Sequence, residues 1–82
     1  MFLVYYNNNK YCFYSSEFET KVLSDQKDLN DWLLFCLEQK KTKFILHENA
    51  THNELIPMLK TVGLNWSMVN DSIFNVLLRL FE

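Results

Sequence analysis

The chain has 82 residues, enough for one domain and too few for two. At 49% hydrophobic and 16% aromatic, with a single glycine and a single proline, it is neither disordered nor linker-rich, and it has no glycine-rich phosphate loop. A formal net charge of −2 lacks the basic excess of a nucleic-acid binder and is too small to imitate a phosphate backbone.

Residues 2–6 (Phe-Leu-Val-Tyr-Tyr) are β-branched and aromatic, and they stop at Asn7-Asn8-Asn9, residues that tolerate the left-handed backbone of a tight turn. Lys10 to Tyr14 resumes the aromatic pattern, so the two stretches read as a β-hairpin. The apolar run from Met1 to Tyr6 is shorter than the core of a secretion signal and has no charged start. No apolar run approaches the roughly 20 residues of a membrane span. The expectation is a cytoplasmic protein with no membrane contact and with Cys12 and Cys36 reduced.

After Ser15 and Ser16, Phe18, Thr20 and Val22 alternate with Glu17, Glu19 and Lys21, a period of two. One long bent strand and two strands joined by a tight turn both fit residues 10–23. A helix is expected over 26–41. Ser24 or Asp25 would cap it, and Leu29, Trp32, Leu33, Cys36 and Leu37 form its amphipathic stripe, which Leu34 and Phe35 widen. Lys40 and Lys41 would close it with the charge that a helix C-terminus prefers.

Phe44 to His47 reads as a short buried strand. Thr51 and Glu54 match a capping box, but Pro57 is tolerated only in a first turn, which moves the helix start toward Asn53 and its stop to Gly63. Leu64-Asn65-Trp66 is a connector or a very short strand. Ser67 or Asn70 would cap a last helix over 68–81, with Ile73, Val76, Leu77, Leu80 and Phe81 on one stripe. The expected fold is therefore a mixed α/β domain of the α+β class. Its order is ββ(β)αβαα, with a small sheet led by the N-terminal hairpin and helices packed on it.

Candidate chemistry is thin. His47, Glu48 and His52 resemble a zinc-protease helix motif with one residue too many. The histidines lie at i and i+5, about 140° apart on a helix instead of on one face. A small metal-dependent hydrolase built on these three residues is the remote alternative, and ordinary polar roles at a strand end and a helix start are the favoured reading. Cys36 sits on an apolar helix stripe and Cys12 in an aromatic strand, where a thiol behaves as a small hydrophobe. Glu17 and Glu19, like Asp25, Asp28 and Asp31, read as solvated faces. No cofactor is implied.

The aromatic hairpin is the most informative feature. Phe2, Val4 and Tyr6 point one way and Leu3 and Tyr5 the other, with Tyr11 and Phe13 opposed to Cys12 and Tyr14 in the same manner. Either helices cover both faces, or one face stays open and presents tyrosines, which are interface anchors. Candidate partner-binding residues are Tyr5, Tyr6, Tyr11 and Tyr14, together with the lysines Lys40, Lys41 and Lys43 that interrupt an otherwise acidic chain. The leading expectation is a non-enzymatic module that binds another protein, with a sheet edge that could also pair with a second copy. A nucleic-acid-associated module using the hairpin aromatics and the lysines is the alternative, and the charge argues against it. Seven lysines against one arginine reflect an AT-rich coding sequence, as in a low-GC bacterium, a phage or a virus.

Overall fold

The computed structural model describes residues 1–39, 43–51 and 54–80. Its elements in chain order are β1 (Phe2–Asn7), β2 (Lys10–Tyr14), β3 (Lys21–Leu23), α1 (Gln26–Glu38), β4 (Lys43–His47), a 3-10 turn (Glu48–Thr51), α2 (Leu55–Val62), β5 (Asn65–Val69) and α3 (Asp71–Arg79). This is the expected α+β domain, with a five-stranded mixed sheet and three helices among the described residues.

The hairpin forms where the asparagines stand. Asn8 and Asn9 have φ of 51° and 62°, and Asn7 pairs with Lys10 across them. Two consecutive positive φ angles define the turn whose twist matches that of paired strands. β3 is a separate strand, antiparallel to β2 through Cys12↔Val22, so residues 10–23 form two strands instead of one bent strand. The link between them is irregular, and it sends Phe18 to the face opposite Cys12 and Val22, where it stacks on Phe2 at 6.0 Å.

The strand order is β3-β2-β1-β4-β5. β1 is antiparallel to β2 and parallel to β4, and β4 is parallel to β5, so β1 is the seam between an antiparallel and a parallel half. Phe2, Val4, Phe13, Phe44 and Leu46 face α1 and α2, where they meet Leu29, Leu33, Cys36, Leu55 and Leu59, all of them at most 3% exposed. Burial of each large side chain contributes on the order of 1.5–3 kcal/mol. Leu3 and His47 are buried on the other face, where the Phe74 ring of α3 packs 5.8 Å from Tyr5 and 5.0 Å from His47.

Several local expectations are corrected, among them the stripe of the last helix, where Ile73, Val76 and Leu80 are exposed and Phe74 is buried instead. The connector at Leu64-Asn65-Trp66 is the start of a five-residue strand, and Ser67 and Met68 belong to it instead of to the last helix. Its register with β4, from Lys43↔Asn65 to His47↔Val69, is tertiary pairing that no local pattern announces. The last helix therefore starts later, with Asn70 as its cap, the side chain accepting from the Ile73 N–H at 2.9 Å. The Thr51–Glu54 capping box does not form, because Thr51 Oγ1 donates to the Glu48 carbonyl and Glu54 makes no capping bond. Pro57 does lie in the first turn of α2, and Gly63 ends that helix at φ 87°. Asp25 caps α1, accepting from the Lys27 N–H at 2.7 Å, and that helix ends at Glu38. The proposed closure by Lys40 and Lys41 lies outside the described residues.

Candidate interaction groove

Antiparallel pairing and the two-residue turn split the hairpin tyrosines between the faces. Tyr11 is buried on the α1–α2 face, 4.8 Å from the Tyr6 ring, and Tyr6 donates its hydroxyl to Asn9 Oδ1 at 3.1 Å. The Tyr11 ring is buried and the Tyr6 ring half-buried. Tyr5 and Tyr14 lie on the opposite face, both half-buried. Partial burial, together with the adjacent Cys12 thiol and Tyr5, holds the Tyr14 hydroxyl above the usual phenol range. The four tyrosines thus form no single surface.

Of the lysines, Lys43 is exposed at the first residue of β4, at the opposite end of the parallel strands from Tyr6. Lys40 and Lys41 lie outside the described residues, as does His52 of the metal-like motif.

His47 is fully engaged by the fold. Its Nδ1 accepts the Asn49 N–H at 3.0 Å, which leaves the ring hydrogen on Nε2, and Nε2 donates to Asp71 Oδ1 at 2.8 Å. No lone pair remains for a metal or a substrate proton in this arrangement. Among the described residues no group of three His, Cys, Asp or Glu side chains is placed to hold a metal ion.

The described surface instead offers a groove of about 560 Å³ between the edge strand β3 and one flank of α1, lined by Lys21, Leu23, Asp28, Asp31, Trp32 and Phe35. The spacing of the four helical residues puts them on one side of α1. Trp32 and Phe35 stack with centroids 5.4 Å apart and planes 21° apart. Trp32 also meets Phe2 and Phe13 edge-on, so one end of this ring pair is anchored in the core while Phe35 is 39% exposed. The Lys21 ammonium lies 5.6 Å above the Trp32 ring, a cation–π arrangement. The Asp28 and Asp31 carboxylates are solvent-exposed and have no hydrogen bond or ion pair among the described residues.

None of these groove residues is singled out by the sequence as binding. Trp32 reads there as part of the core stripe, and the aspartates as a solvated helix start. The signal available was Phe35, an aromatic residue one step off the stripe that packs α1.

No family model, curated protein or solved structure matches the chain. None of the described helices is long and apolar enough to cross a membrane.

Proposed function

We propose that this chain is a non-enzymatic protein-binding module of the cytoplasm. It acts by occupying a surface of a larger protein, in the manner of the small inhibitors and immunity or anti-defence proteins of phages, mobile elements and low-GC bacteria. The observation that supports this reading most directly is the aromatic groove beside β3. A rigid ring pair, half sunk in the core and half exposed, is the kind of anchor that dominates interface energetics.

Two further observations agree with it. Large apolar side chains remain exposed on α1 (Leu34, Leu37) and on α3 and its C-cap (Ile73, Val76, Leu80), more than one scattered surface leucine would explain. His47, one of the two histidines of the metal-like motif, has both ring nitrogens committed to the fold.

Affinity purification from the native host with mass spectrometry tests the reading. The wild-type chain is expected to retain a specific protein that Phe35→Glu, a surface change, loses while keeping the wild-type circular dichroism spectrum. A chain that is monomeric and retains nothing from its host lysate overturns it.

A further inference from the structure

We propose that the occupant of the groove is an extended segment of the partner protein that adds to the free edge of β3. It sets an apolar side chain on Trp32 and Phe35, and two positions away a lysine or arginine against Asp28 and Asp31. The inference rests on the protein-binding reading and goes further by stating the chemistry of the ligand.

The edge supplies the first reason. Among the described residues β3 closes the sheet at one side and pairs only with β2. The outward N–H and C=O groups of such a strand are a template for another extended chain. The groove lies directly beside this edge, so side chains of an added strand enter it. At about 560 Å³ it falls within the range of sites that enclose a ligand of a few side chains.

The register supplies the spacing. Lys21 and Leu23 line the groove, while Val22 between them points to the other face and is 51% exposed. An added strand has the same period of two, so its residues i and i+2 face the groove and i+1 covers Val22.

Charge decides which end takes which residue. Phe35 meets Phe18 at 6.2 Å and Trp32 lies under Lys21, so the later part of α1 runs beside the start of β3. Asp28, a turn earlier, lies toward Leu23. The ring pair is already served by the Lys21 cation. The two carboxylates carry no partner among the described residues, and the chain as a whole is negative. A cationic side chain therefore belongs at the Asp28–Asp31 end and an apolar one over the rings.

The test is selection of a phage-displayed random 12-residue peptide library on the immobilised full chain. The expected peptides carry Lys or Arg two positions from a large apolar residue. A synthetic peptide of that sequence should shift the β3 and α1 amide resonances. Asp28→Lys/Asp31→Lys should weaken its binding by about tenfold or more, and wild-type binding should weaken with added salt. Because Asp28 also serves the first turn of α1, Asp31→Lys alone is the second variant, expected to lose part of the affinity with an unchanged melting temperature.

Selected peptides without a basic residue, binding indifferent to the charge reversals, or resonance shifts confined to Tyr5, Tyr14 or α3 overturn the inference. A failed selection beside a host protein that is captured and then lost with Phe35→Glu also overturns it, and leaves the protein-binding reading standing. A failed selection with nothing captured removes both.

Discussion

His47 Nε2 donates to Asp71 Oδ1 at 2.8 Å, tying the end of β4 to the first turn of α3 across 24 positions of sequence. With the ring held edge-on by Tyr5 and Phe74 and its other nitrogen accepting from Asn49, this bond sets where α3 lands on the sheet. We expect Asp71→Ala to cost about 1–2 kcal/mol, the usual result of leaving a buried donor without its acceptor. Asp71→Asn, which keeps an acceptor oxygen, should cost less. Chemical denaturation measures both, and hydrogen exchange should show the loss concentrated in α3 and the 3-10 turn instead of in α1.

Phe74 is the one side chain of α3 buried among the described residues, at 2% exposure. Phe74→Ala should therefore cost about 3–5 kcal/mol. For a chain of this size that is a large part of the total stability. The outcome to look for is a lowered midpoint in denaturant, against nearly unchanged stability in Ile73→Ser on the exposed side of the same helix.

The two cysteines should behave differently. Burial pushes the Cys36 thiol up to about 12 from an ordinary value of 9.0. The folded chain then keeps a proton that the unfolded chain releases, so this contribution to stability is complete below about pH 9 and is lost as the pH rises toward 12. Wild type should lose stability over that range more steeply than Cys36→Ala, as read from denaturation midpoints at pH 8 and above. At neutral pH a thiol reagent should modify the half-buried Cys12 and reach Cys36 only after unfolding.

Backbone handedness gives a pair of opposite effects. At φ 62° in the second position of its turn, Asn9→Gly should gain a few tenths to about 1 kcal/mol from the backbone, reduced by loss of the exposed Oδ1 acceptor of the Tyr6 hydroxyl. Gly63, at φ 87°, has no atom within 4 Å of where a Cβ would sit, so Gly63→Ala should cost about 1–2 kcal/mol from the backbone alone. Thermal melts of the two variants in parallel check both signs.

Legibility from sequence followed the range of the interactions involved. The asparagine turn, the Leu29, Leu33 and Cys36 part of the α1 stripe, the Pro57 constraint and the Gly63 stop depend on residues a few positions apart, and each lies where its pattern puts it, whereas Leu37 of that stripe is exposed. β5 showed only as a connector or a very short strand at Leu64-Asn65-Trp66, because Ser67 also reads as a helix cap and the strand is carried on to Val69 by pairing with β4. The partner of His47 was equally hidden, since nothing local links it to Asp71. The alternation of the hairpin tyrosines was legible, with Tyr6 and Tyr11 on one face and Tyr5 and Tyr14 on the other, but which face the helices cover was not. The groove combines a strand edge with a helix flank, and single-segment patterns do not describe such a junction.

The position of β1 at the seam implies an order of assembly. Its pairing with β2 spans a two-residue turn, a contact that forms within microseconds. Its pairing with β4, Phe2 against Phe44, closes a loop that contains β2, β3 and all of α1. Such distant contacts are entropically costly until many form together. The hairpin and α1 can therefore sample native-like shape early, while Phe2, Phe44 and Leu46 gain their full burial only when the parallel half docks. The strand that starts the chain thus has one edge covered by a near neighbour in sequence and the other by a distant one.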